Sequence, residues 1–138
     1  TMKELLLLSV FLISACSTSY DVYDGVDKAY CDKVKMDFSL AKTAKDSCID
    51  HYVKTYTKPA SSASDIAEGA VFECNKVISI AASSSYDAAV CAMAERNGMS
   101  VQKVNSMINS NDEAKIRTDI SSVKKDAMNR VVKYQSSL

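Results

Sequence analysis

The stretch that decides the fold is CIDHYVKTYTKPASSASDIAEGAVFEC, residues 48–74. It opens and closes on cysteine and carries the chain's single proline, Pro59, followed by Ala60-Ser61-Ser62-Ala63-Ser64. Proline lacks a donor N–H and biases the preceding Lys58 toward an extended backbone, so a helix arriving from Cys48 ends here. Ser62 or Ser64 can cap the helix that follows. Asp65 and Glu68 then fall in its first turns, where negative charge meets the positive end of the helix dipole. The chain reverses about Ser61.

Two further cysteines extend this reading outward. Cys31 lies 17 residues before Cys48 and Cys91 lies 17 after Cys74, so the four mirror one another about Ser61. Apolar periodicity starts near Val22 or Val26 and runs to Tyr56. Within it Cys31, Val34, Phe38, Ala41, Lys45, Cys48 and Tyr52 recur at alternating steps of three and four, as one helical seam requires. Cys74, Val77, Ala81, Ser84, Ala88 and Cys91 repeat the alternation, with Ile78 and Ile80 broadening the stripe. Cys31-Asp32-Lys33-Val34 and Cys74-Asn75-Lys76-Val77 make a weak internal repeat.

Seventeen residues of helix separate two Cα atoms by about 25 Å, whereas a disulfide spans about 7 Å at most. Neither Cys31 with Cys48 nor Cys74 with Cys91 can close within one helix. In an antiparallel hairpin turning at Ser61, Cys31 comes level with Cys91 and Cys48 with Cys74. The other arrangement, Cys31 with Cys74 and Cys48 with Cys91, needs a longer connection than this loop. The spacing therefore predicts nested pairs. Zinc is the competing use of four cysteines, but none of them has the close C-x-x-C spacing that gathers ligands on one metal.

Beyond the hairpin, Asn97-Gly98 reads as a helix end with glycine in the left-handed conformation. Ser100 can cap a short helix carrying Val101, Val104, Met107 and Ile108. Asn109-Ser110-Asn111-Asp112 then reads as a turn starting a long helix with apolar positions Ile116, Ile120, Val123, Ala127, Val131 and Tyr134. The predicted fold is all-α: a disulfide-braced antiparallel helical hairpin extended to a three- or four-helix bundle, one domain over 25–138. With 17 basic and 17 acidic residues, there is no basic excess and no aromatic-basic interleaving to support nucleic-acid binding.

The other end of the chain carries an address. Thr1-Met2-Lys3-Glu4 precedes an uncharged run from Leu5 to Ile13 that is too short to span a bilayer, then the small residues Ser14-Ala15. This is the layout of a signal peptide over 1–15. Ile13-Ser14-Ala15-Cys16 further resembles the lipobox of bacterial lipoproteins. That resemblance implies cleavage before Cys16, a diacylglyceryl and palmitate-type acyl anchor on it, and, with Ser17 rather than Asp next, sorting to the outer membrane of a Gram-negative cell. Residues 16–24 then form a polar, flexible tether. An ordinary secretory signal, with Cys16 incidental, is the plain alternative. Either way the mature chain leaves the cytoplasm for a compartment in which disulfides persist.

For chemistry the sequence offers little. The only histidine, His51, lies near Cys48, but a Cys–His nucleophilic pair needs a reduced thiolate, and the disulfide reading consumes Cys48. Asp46 and Asp50, one turn apart, suit a solvated face. A glycine-rich phosphate loop, a nucleophile elbow and an H-E-x-x-H motif are all missing. We expect no enzyme, no cofactor and no metal. Tyrosine is favoured at interfaces; Tyr30 and Tyr52 are accounted for by seam packing, which leaves Tyr23, Tyr56 and Tyr86 as candidate partner-binding residues. The expected function is a membrane-anchored cell-envelope protein that binds another protein noncovalently, as an inhibitor or immunity protein against an envelope-targeting enzyme. The alternative is a structural, assembly or surface-exclusion component of an envelope complex, and a third use is an apolar small ligand held between helices.

Overall fold

Asp24 starts the first helix. Its Oδ1 accepts from the backbone N–H groups of Val26 and Asp27 at 2.9 and 3.0 Å, satisfying donors that the first turn leaves without helical partners. In the computed structural model, which describes residues 21–116 and 120–138, helix α1 runs from Gly25 to Tyr56. Thr57 leaves it in an extended conformation two residues before Pro59. Ser61 closes the turn: its N–H donates to the Lys58 carbonyl at 3.0 Å, and its Oγ accepts from the Lys58 N–H at 2.8 Å. Ser62 caps the next helix through the Asp65 N–H at 3.3 Å.

The helix returning from this turn is bent rather than continuous. Cys74, at φ −91° and ψ 8°, divides α2 (Ala63–Glu73) from α3 (Asn75–Asn97). Hydrogen bonding still passes through the bend: the Cys74 N–H reaches the Ala70 carbonyl at 2.9 Å, and its own carbonyl accepts from Ile78 at 3.0 Å. Packing partners change there, because α3 lies along α1 while α2 lies chiefly against the last helix. The bend lets one helical path serve both.

Gly98 ends α3 at φ 61°, and the Met99 N–H closes onto the Ala94 carbonyl at 3.0 Å. Ser100 caps α4 (Val101–Met107), accepting from Lys103 at 3.0 Å. Asn109 Oδ1 caps the next turn through the Asn111 and Asp112 N–H groups, both at 3.0 Å. The long helix expected from this point is present as α5 (Ser110–Ile116) and α6 (Ile120–Gln135). Residues 117–119, and the side chains of Lys115 and Ile116, lie outside the described residues. The two segments serve different ends of the hairpin, with α5 packing on α3 and α6 on α2 and α1. Six helices and no strand occur among the described residues.

Both disulfides are the nested ones. Cys31 and Cys91 have Cα atoms 5.5 Å apart, and Cys48 and Cys74 have theirs 5.9 Å apart. Around Cys48–Cys74 the largest core gathers Ile49, Val53, Ala67, Ala70, Ile78, Val123, Ala127 and Val131. At the other end Cys31, Val34 and Cys91 form a small cluster, and Val90, Ala94 and Val104 form another. Within the predicted stripe Ile78 is buried, but Ile80 is half exposed: it lies off the line on which α1 and α3 meet. Helix α3 has the length and composition to cross a bilayer, with mean hydropathy 1.4. In this fold its Ile78, Ala81, Val90, Cys91 and Ala94 are buried among the helices.

The chain entering α1 departs from the flexible tether read over 16–24. Ser100 donates its N–H to the Asp21 carbonyl at 3.2 Å, and Tyr23 donates to the Gly98 carbonyl at 3.3 Å. Helix ends leave backbone groups without helical partners, and residues 21–24 satisfy those exposed by the α3–α4 turn. Asp27 Oδ2 also accepts from the Val101 N–H at 3.3 Å, so the start of α1 and the start of α4 are stitched together. The signal peptide over 1–15, Cys16 and the rest of the tether to Tyr20 lie outside the described residues.

Candidate functional site

Two surfaces follow from this architecture, and one polar knot holds α6 in place. The knot is Arg130, whose Nη1, Nη2 and Nε atoms reach Asp50 at 2.7 Å, Asp46 at 3.0 Å and Asp126 at 2.8 Å. Burial opposes the guanidinium charge, but hydrogen bonds to Asp50 and Asp126 outweigh it and hold the pKa above its already high ordinary value. Asp46 and Asp50, read as a solvated pair, thus bind α6 to α1. The groove beside them, about 520 Å³, includes Lys54, Lys133 and Tyr134 in its lining. Three carboxylates already surround its arginine, so the knot works as a structural clamp. Gln135 adds a second fastening, with Nε2 donating to the Lys58 and Ser61 carbonyls at 3.1 and 2.9 Å.

The first surface lies on α1. Val26, Tyr30, Met36 and Leu40 are 78, 46, 58 and 64% exposed. At about 100° per residue these four positions fall within an arc of about 120°, a stripe about 21 Å long at 1.5 Å per residue. Lys33 and Asp37 pair with each other inside the same arc. Lys28 and Asp32 form another one-turn pair nearby, at 2.8 Å. The hydrogen bond from Lys28 holds the Asp32 carboxyl below its usual range, and the same bond raises the Lys28 ammonium. Across the hairpin, Lys35 meets Glu95 at 2.9 Å, and that bond likewise raises the Lys35 pKa.

The second surface is a half-open recess of about 500 Å³ where α3, α4 and α5 meet, lined by Met93, Asn97, Met99, Val104, Met107, Ile108 and Asp112. Three of the seven are methionines, whose flexible, polarisable side chains adapt to irregular apolar shapes. Among the described residues Asp112 is the one titratable member of this lining.

The tyrosines distribute differently from the sequence reading. Tyr23 is half-buried against the cluster of Cys31, Val34 and Cys91, and Tyr86 is half-buried against that of Val90, Ala94 and Val104. Tyr56 is more than half exposed, its ring 4.4 Å from that of Tyr52 at an angle of 39°. Tyr30, read as seam packing, instead faces outward on the α1 stripe. Residue type alone did not separate these; a helical wheel drawn from Cys31 and Val34 places Tyr30 off the seam. Met36 and Leu40 were missed for the same reason.

His51 is exposed and Cys48 is consumed by its disulfide, so no thiolate–imidazole pair forms. Among the described residues no group of three or more His, Cys, Asp or Glu side chains gathers in a way that holds a metal ion. Comparison with protein-family models, curated proteins and solved structures gives no match.

Proposed function

We propose that this chain is a lipid-anchored cell-envelope protein, held at the outer membrane through Cys16, whose helical domain binds another protein noncovalently. The observation that carries the binding reading is the exposed stripe of Val26, Tyr30, Met36 and Leu40 on α1. Apolar side chains exposed singly need no explanation, but a run of them along one helix face is the kind of surface a partner helix or groove covers. Helix α1 is fastened at two levels by disulfides, to α3 through Cys91 and to the α2–α3 bend through Cys74. The stripe is therefore presented in a fixed geometry, and binding does not first have to order it.

The anchoring reading rests on the lipobox resemblance. Four residues lie between Cys16 and the docked Asp21, so five Cα–Cα steps give a reach of about 18 Å when fully extended. A partner would be met close to the membrane surface. An inhibitor or immunity protein against an envelope-targeting enzyme is the form we favour, since a small stapled bundle with one preset face suits compact one-to-one capture.

The test uses the full-length, membrane-anchored chain. Met36→Glu combined with Leu40→Glu should abolish recovery of the stoichiometric partner while far-UV circular dichroism and both disulfides are unchanged. Undiminished recovery would overturn the reading. Cys16→Ala should release the protein from membranes, and continued retention would remove the anchor. A captured cell-wall hydrolase that loses activity in a one-to-one complex selects the inhibitor; co-purification with multi-component envelope machinery selects the assembly role. The methionine-lined recess supports a second reading, in which an apolar small ligand sits between α3, α4 and α5.

A further inference from the structure

We infer that the recess between α3, α4 and α5 takes a cationic amphiphile, an apolar chain ending in an ammonium group; this rests on the second reading above. The apolar part follows from the walls. Met93, Met99, Met107, Val104 and Ile108 enclose about 500 Å³, within the range of pockets that hold drug-sized ligands, and thioether side chains accommodate a chain without a fixed shape.

The charge follows from the two polar members, Asn97 and Asp112. Asn97 commits Nδ2 to the Met93 carbonyl at 2.8 Å, while its Oδ1 has no partner among the described residues. Asp112 is half-buried, and no cation among the described side chains, which do not include Lys115 one turn further along α5, pairs with it. An ionised carboxylate only accepts hydrogen bonds. What the recess offers a head group is therefore a pair of acceptors and a negative charge, with no cation among the described residues of its lining. An anionic amphiphile such as a fatty acid or alkyl sulfate would bring a second negative charge against Asp112. A neutral chain would cover the carboxylate without replacing its water. An ammonium group satisfies it with charge-assisted contacts while the chain fills the apolar wall.

The experiment titrates the intact oxidised protein, labelled at its methionine methyl groups, with decylammonium, decyl sulfate and decanol, the two ionic compounds below their micelle concentrations and decanol below its solubility limit. The ammonium compound should give saturable shifts at Met93, Met99 and Met107 and bind at least about fivefold more tightly than the sulfate; Asp112→Asn should lower that preference by about three- to fivefold, the scale of one partly solvated charge contact. Decanol should bind wild type and D112N within about twofold of each other, since it carries no charge for Asp112 to meet. Equal affinity for ammonium and sulfate, or a preference that survives in D112N, would overturn the charge assignment. If decanol too leaves the three methyl signals unmoved, the ligand reading itself fails, and the inference fails with it.

Discussion

At the turn end, Cys48–Cys74 lies inside one continuous core to which α1, α2, α3 and α6 all contribute. At the far end, Cys31–Cys91 is flanked by Val34 and a separate small cluster on α3 and α4, with the docked segment 21–24 and the Asp27–Val101 hydrogen bond completing the closure. The two cross-links are alike in geometry, but their surroundings are not. Burial and the disulfide hold the turn end together, whereas the far end depends more on its disulfide and on backbone stitching. The surfaces available for recognition belong to this less filled end: the recess opens there, and the α1 stripe begins there.

The largest effect should come from removing the disulfides pairwise. Cys31→Ala with Cys91→Ala opens a sequence separation of 60, and Cys48→Ala with Cys74→Ala one of 26. Chain entropy alone puts these losses at about 4 and about 3.5 kcal/mol. Denaturant unfolding should rank the far-end pair as the costlier, and the reverse order would break the comparison. Next, Ile49→Ala at the turn end should cost about 3 kcal/mol by leaving a cavity in a wholly buried site. Val34→Ala at the far end should cost about 1 kcal/mol, because fewer neighbours lose contact. Equal costs would mean the two ends are filled alike.

Gly69→Ala sharpens the picture of the turn end. A Cβ at Gly69 would come within 2.8 Å of Tyr52 Cζ, so the ring tilted against Tyr56 must shift. The expected loss is about 2 kcal/mol, read from thermal unfolding, with a change in tyrosine near-UV signal. The smallest effect is at the far end. Asp32 is held below its usual carboxyl range by Lys28, so its contribution is present above the unfolded value near about pH 3.9 and fades as pH falls through the lower folded value. Wild type should therefore exceed Asp32→Asn slightly in melting temperature at neutral pH, with the difference vanishing in strong acid. A difference that grows on acidification would contradict the assigned sign.

The hairpin was readable because its determinants are hard constraints: four cysteines at mirrored positions, a disulfide's short reach, and a proline where the chain must turn. Caps at Ser62 and Ser100, the turn that starts a helix at 109–112 and the glycine end at Gly98 were readable because each satisfies a local backbone need. The bend at Cys74 was not, since Glu73-Cys74-Asn75 contains neither proline nor glycine; the need for it arises only when α6 competes for the same helix. Ile49 and Val53 were passed over likewise. They lie around α1 from the Cys31–Cys48 seam, on the side that a third helix covers, and a two-helix periodicity cannot register that helix. The recess joins side chains from three helices, so no local spacing of Met93, Met99 and Met107 announces it.

Amide hydrogen exchange on the intact protein, before and after reduction, tests the unequal-ends account most directly. On reduction, protection should fall first in the opening turns of α1 and in α4, while the last turns of α1, α2 and α6 keep most of theirs. Loss of protection at the turn end first, or at one uniform rate along the whole hairpin, would contradict it.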